Sequence, residues 1–133
     1  MSRKIIKTSK KSFQAGSKKS ERYIQPSILM ALKSKPSYGY ELIQVICQFG
    51  FVEGQAPPGM IYRHLRDLEE NGLVASEWET GGTGPAKRVY QLTKEGEEVL
   101  DYWITYMKNQ AATLLNFVER YETIKENEGS HNL

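Results

Sequence analysis

Between Ala56 and Gly72 the sequence reads Ala-Pro-Pro-Gly-Met-Ile-Tyr-Arg-His-Leu-Arg-Asp-Leu-Glu-Glu-Asn-Gly. The residues in it best suited to chemistry are Tyr62, Arg63 and Arg66. Ile61, Leu65 and Leu68 fall at i, i+4 and i+7, the spacing of a narrow apolar stripe on a helix. Gly59, Arg63, Arg66 and Glu70 lie across the helix from that stripe, with Tyr62 on its flank. A guanidinium group can donate paired hydrogen bonds to a base edge or bond a phosphate, so a short helix that offers two of them outward suits a DNA major groove. The same pattern also describes the solvated face of any amphipathic helix. The neighbouring elements have to decide between the two.

Pro57 and Pro58 can open this helix, because a proline in the first turn lacks only an N–H that would have had no partner. Gly72 stands where a helix end favours a left-handed residue. Upstream, Ile24, Ile28, Leu29 and Leu32 predict a helix from about Tyr23 to Lys33, broken by Ser34, Lys35 and Pro36. Ser37 is expected to cap a second helix through Gln48, its inward face made by Tyr40, Ile43 and Cys47 or Ile46, with Gly50 ending it. Downstream, Leu73 to Trp78 reads as a strand, Glu79 to Ala86 as a glycine-rich turn and Lys87 to Leu92 as a return strand. Helices followed by a two-stranded hairpin with a basic return strand are the order of a winged helix-turn-helix. Lys87 and Arg88 at that return are placed to meet backbone phosphate. The turn is not a phosphate-binding loop, since Ala86 stands where that loop needs glycine and Arg88 where it needs serine or threonine.

The chain has 133 residues and a net charge of +2, unevenly spread. Residues 1–22 hold eight basic residues against Glu21 alone, a net +7, which leaves −5 on the rest. The first 19 residues read as a disordered basic arm and the body as acidic, so affinity for a polyanion has to come from the arm and from a local patch. The arm is mainly lysine, which disfavours an organellar transit peptide. No apolar run has transmembrane or secretory length, and the lone Cys47 has no disulfide partner, so a cytoplasmic protein is expected.

Thr93 can cap a last helix whose first turns carry Glu95, Glu97 and Glu98, where the helix dipole favours negative charge. Leu100, Ile104, Met107, Ala111, Leu114, Val118 and Tyr121 then follow steps of four and three, a heptad repeat, with Trp103, Leu115 and Phe117 beside it. So long an apolar stripe has to meet another helix, in a second copy of the chain or by folding back on its own domain. The organisation expected is therefore a basic arm over 1–19, a winged helix-turn-helix over 20–93, a dimerisation helix over 94–125 and a disordered tail over 126–133. The fold class is mainly α with a small β-hairpin.

An enzyme finds no support. His64 and His131 have no second histidine or cysteine at ligand spacing, so no metal or cofactor is implied, and no nucleophile motif is present. The competing class is a winged helix used as a protein-interaction module, which the acidic body favours.

Taken in order, Gln25-Pro-Ser-Ile-Leu, Tyr38-Gly39-Tyr40-Glu41-Leu42, Pro58 to Leu65, Leu68 to Val74, Ser76-Glu77-Trp78, Gly84-Pro85, Lys87 to Thr93 and Gly96 resemble the PadR-like family of transcriptional repressors, over about Gln25 to Tyr106. The resemblance implies a homodimer whose winged domains bind double-stranded, palindromic operator DNA and are released by an effector. Carried over by position, it assigns base or groove contact to Gly59, Tyr62, Arg63 and Arg66 and phosphate contact to Lys87 and Arg88. Tyr38 would approach phosphate and Tyr40 the core. The long basic arm has no counterpart in the family pattern. In drug-binding relatives a tryptophan on the last helix stacks a flat aromatic ligand across the dimer. That place falls here at Met107, with Trp103 one turn earlier, so Trp103, Tyr106 and Met107 are the candidate pocket for a small aromatic effector, and plain dimer packing is the other reading of them.

Overall fold

The computed structural model describes residues 21–131 apart from Glu53, so the expected basic arm lies outside the described residues. In chain order the elements are α1 (Ile24–Ser34), β1 (Ser37–Tyr38), α2 (Gly39–Ile46), a 3-10 turn (Cys47–Phe49), α3 (Pro58–Glu70), β2 (Val74–Glu79), β3 (Lys87–Leu92) and α4 (Lys94–His131). The chain divides after Tyr102 into two compact units. The first is a winged helix-turn-helix.

Its core follows from periodicity. Ile24, Ile28, Leu29 and Leu32 of α1, Leu42 and Ile46 of α2, and Ile61, Leu65 and Leu68 of α3 are all buried, so three short amphipathic helices share one interior. Each such side chain contributes roughly 1.5–3 kcal/mol by leaving water. Pro26 sits in the first turn of α1, where its missing N–H costs nothing, and Pro58 is the first residue of α3.

The end of α3 is a complete Schellman turn. The Gly72 N–H donates to the Glu69 carbonyl at 3.0 Å and the Leu73 N–H to the Leu68 carbonyl at 2.9 Å, with Gly72 at φ +77°. Leu73 drops into the core and β2 begins at Val74. The chain then returns through β3 to Thr93. The Thr93 hydroxyl donates to the Gly72 carbonyl at 2.7 Å and accepts from the Gly96 N–H at 3.0 Å, which makes Thr93 the N-cap that was expected. A Cβ on Gly96 would lie 2.1 Å from the Leu73 carbonyl oxygen, so only glycine lets the start of α4 close over this turn.

Four expectations for the first unit need correction. The sheet has three strands in the order β1-β3-β2, because Ser37 and Tyr38 pair with Tyr90 and Val89. Ser37 is therefore a strand residue, and Tyr38 is the N-cap of α2, its N–H donating to Glu41 Oε1 at 2.9 Å. Regular α-helix in α2 ends at Ile46, short of Gln48. Tyr40 is 51% exposed rather than inward, since Leu42, Ile43 and Ile46 already fill that face.

In the second unit α4 is helical as far as His131, past the expected start of a disordered tail at residue 126, because no proline interrupts the stretch. Its Leu114, Leu115, Phe117, Val118, Tyr121 and Ile124 are exposed. Leu100, which the heptad reading put on the same seam, is buried, so the open stripe starts at Ile104.

At equal protein concentration, urea denaturation is expected to place Gly72→Ala about 1 kcal/mol below the parent, the cost of a left-handed alanine. Gly96→Ala is expected to lose about 3 kcal/mol through the forced separation of Leu73 from α4. A Gly96→Ala chain as stable as the parent would contradict this close approach.

Candidate nucleic-acid interface

Burial of Ile61, Leu65 and Leu68 turns the other face of α3 outward. Gly59, Tyr62, Arg63 and Arg66 are all exposed on it, as their spacing predicts. Two further elements come up beside this face. The N-terminus of α2 approaches so closely that a Cβ on Gly39 would lie 2.5–2.8 Å from the ring and hydroxyl of Tyr62. The wing, β2 and β3 with the exposed turn between them, brings Lys87 and Arg88 to the far side.

The three elements enclose an open cleft of about 410 Å³ whose walls include Tyr38, Tyr40, Tyr62, Trp78 and Lys87 over a floor at Gly39. The rings of Tyr38 and Tyr40 stack at 5.6 Å and 7°. The Lys87 ammonium lies 5.5 Å from the centre of the Tyr38 ring. The Tyr38 hydroxyl donates to the Glu79 carboxylate, and that bond holds the phenol above its ordinary pKa. Burial does the same for Tyr90, which also lines the cleft.

The two predicted cations of the wing are not alike. Lys87 is exposed and touches only the Tyr38 ring among the contacts described. Arg88 is engaged by its neighbours although it is exposed. Its Nη2 donates to Glu69 Oε1 at 2.9 Å and its Nε to Ser76 Oγ at 2.8 Å, while the Ser76 hydroxyl donates to Glu69 Oε2 at 2.6 Å. Its guanidinium also lies 5.6 Å from the Trp78 ring and 5.5 Å from the Tyr90 ring. Arg88 thus braces the wing against the last turn of α3 and sets the angle at which the wing leaves it.

Arg63 and Arg66 differ in the same way. Arg63 Nη2 donates to Glu21 Oε1 at 2.7 Å, and the same carboxylate oxygen accepts from His64 Nε2 at 2.7 Å. Arg66 has no hydrogen-bond or ion-pair partner among the described residues. Arg63 and then His64 hold the Glu21 carboxyl below the usual carboxylate range.

Residues 28–102 match the transcriptional regulator PadR-like family. The chain belongs to that family. Its members are transcriptional regulators, not enzymes. Among solved structures, a PadR-family transcription regulator from Clostridium difficile R20291 is similar at 25% identity, over 72% of this chain and 98% of that one, with a TM-score of 0.64. A PadR-family transcriptional regulator from Eggerthella lenta DSM 2243 is similar at 28% identity, over 69% of this chain and 80% of that one, with a TM-score of 0.58. Bacillus subtilis PadR, solved in complex with operator DNA, is similar at 26% identity over 63% of this chain and 48% of that one, with a TM-score of 0.54. None of the curated proteins matches.

In this PadR-like chain Gly59, Tyr62, Arg63 and Arg66 are exposed on α3, and Tyr38, Tyr62, Lys87 and Arg88 line one cleft. The candidate effector residues belong to the second unit. There Trp103 and Tyr106 meet edge to face at 6.0 Å and 89°, Trp103 is only 2% exposed, and Met107 is half-buried. Sequence reasoning missed Glu21, counted only as the one negative charge of residues 1–22, and Glu69, which nothing in the sequence singled out. It also missed Trp78, 60% exposed on the wing. Its place two residues beyond Ser76 on one strand face was a usable signal for Trp78, whereas nothing local marks Glu21.

A carboxyl whose folded pKa is depressed contributes stability that is present above its unfolded value and is lost as pH falls through the folded one. The stability gap between the parent and Glu21→Gln is therefore expected to be constant near neutrality and to close as urea melts are taken well below pH 4.5. A gap unchanged at the acid end would mean that the Glu21 charge contributes nothing.

Proposed function

We propose that this chain is a cytoplasmic, sequence-specific transcriptional repressor that binds a palindromic operator as a homodimer and leaves it when an effector binds. The observation that carries the reading is the outward face of α3, where Gly59, Tyr62, Arg63 and Arg66 are all exposed and Tyr62 lines one cleft with Tyr38, Tyr40 and Lys87 of the wing. In this reading α3 enters the major groove, Gly59, Tyr62, Arg63 and Arg66 meet bases or groove edge, and Tyr38, Lys87 and the unspent N–H groups of Arg88 meet phosphate. The operator complex of the Bacillus subtilis relative supports it by analogy.

The domain roles follow. Residues 20–93 bind DNA, the basic arm over 1–19 adds phosphate contacts, and the last helix pairs two copies through Ile104, Met107, Ala111, Leu114, Val118 and Tyr121. A stripe with Leu114 67% exposed supports that pairing, because an apolar seam of this length is costly in water. Trp103, Tyr106 and Met107 are the proposed place for a small aromatic effector. One observation favours the alternative of a protein-interaction module: Arg63 and Arg88 are each paired with a carboxylate, on a body of net charge −5.

Fluorescence anisotropy with duplex from the chain's own upstream region and a scrambled duplex tests the reading. Arg63→Ala with Arg66→Ala is expected to lower specific affinity at least a hundredfold, on the order of 1–3 kcal/mol for each lost contact, while sedimentation still finds a dimer. Leu114→Asp with Val118→Asp is expected to give monomers and to abolish binding to the palindrome. A parent that holds both duplexes equally, with binding lost only when residues 1–19 are removed, would instead support the interaction module.

A further inference from the structure

Arg63 and Arg66 share one face of α3 but not one environment. Arg63 is held from behind by a chain of contacts that runs out from the core. Gln25 on α1 reaches His64 Nδ1 through its Nε2 at 3.2 Å. His64 is buried, and its Nε2 lies 2.7 Å from Glu21 Oε1. A carboxylate can only accept, so Nε2 donates there and Nδ1 accepts from the Gln25 amide, which satisfies both ring nitrogens. Glu21 Oε1 accepts from Arg63 Nη2. The carboxylate side chain is 11% exposed, whereas the guanidinium-bearing side chain is 47% exposed. One end of the pair is thus fixed between α1 and α3, and the other reaches into solvent on the proposed DNA face.

We propose that Glu21 is the positioning residue that aims Arg63 at its base, making Arg63 the arginine that reads sequence and moving Arg66 from the groove-contact set above to phosphate. The inference rests on the DNA-binding reading of α3. A guanine edge is read by two N–H groups of one guanidinium held in the plane of the base. A free arginine has considerable rotamer freedom to lose on forming that geometry, and a planar fork held at one corner has less. The Glu21 bond occupies one N–H of Nη2, and four of the five donors are left. Arg66, with no such partner, has no fixed plane and suits a point contact that tolerates many geometries. That division is the one between base readout and phosphate positioning.

Glu21 could in principle act only through its charge, and the two roles have opposite signs. Removing a negative charge beside a polyanion strengthens binding to every duplex alike. Removing an aiming partner leaves nonspecific binding alone and blurs one position of the recognised sequence.

The test is selection from a random duplex pool with the full-length chain, followed by anisotropy on the selected sequence. The parent is expected to yield a palindromic motif. Glu21→Ala is expected to yield the same motif with one base pair per half-site relaxed, discrimination there falling about tenfold, and Arg63→Ala to relax the same position. Arg66→Ala is expected to keep the motif, bind all duplexes more weakly and lower the salt slope by about one per protomer. Glu21→Gln, whose amide oxygen still accepts from Arg63, is expected to keep most of the discrimination and guards against a folding defect in the alanine variant, as do thermal melts. A Glu21→Ala motif identical to the parent's, or a uniform gain on all duplexes, overturns the proposal while leaving the DNA-binding reading intact. No motif from the parent overturns both.

Discussion

The interface depends first on one packing constraint. α3 has thirteen residues and a single apolar stripe, and Ile61, Leu65 and Leu68 can leave water only by facing α1 and α2. That burial fixes the rotation of the helix about its axis, and with it the direction of every residue on the opposite side. Arg63 and Arg66 point outward because three aliphatic side chains cannot. Glycine enters where bulk would break this arrangement. Gly39 lets α2 come up to the Tyr62 ring, and Gly96 lets α4 close on the carbonyl of Leu73.

A second constraint is electrostatic. The described body carries more acidic than basic residues, yet its proposed DNA face has to tolerate a polyanion. Part of the acid is spent in pairs that give shape. Glu69 ties Arg88 and Ser76 into a brace between α3 and the wing, Glu21 ties Arg63 to His64, and Glu79 takes the Tyr38 hydroxyl. Where such pairs are open to solvent they contribute little to stability. Their larger effect is directional, since each one restricts a side chain that would otherwise sample many orientations.

The last helix poses a different problem. Within the second unit its seam from Leu114 to Ile124 is apolar and exposed. A helix of this kind is stable in water when a partner removes that surface. Pairing of two copies would also set the spacing of two recognition helices, which is what a palindromic operator requires.

Much of this was legible in the sequence because it is local. The apolar steps of α1 and α3, the prolines and Gly72 that bound α3, the Thr93 cap and the heptads of α4 each follow from spacing within one element. The outward set of Gly59, Tyr62, Arg63 and Arg66 is a consequence of the same spacing. What only the tertiary structure decided are contacts between residues far apart in the chain. Pairing of Ser37 and Tyr38 with β3 depends on how the wing folds back, a non-local event that no window of residues encodes, and it carried Ser37 out of the cap. Leu100 satisfied the heptad but was claimed by a nearer core. Glu21 lies 42 positions from Arg63, and Glu69 lies 19 from Arg88. Sequence determined which groups exist and which side of each element they occupy. Folding determined which of the arginines would be held and which left free, because side chains this distant meet only after the helices that carry them have packed.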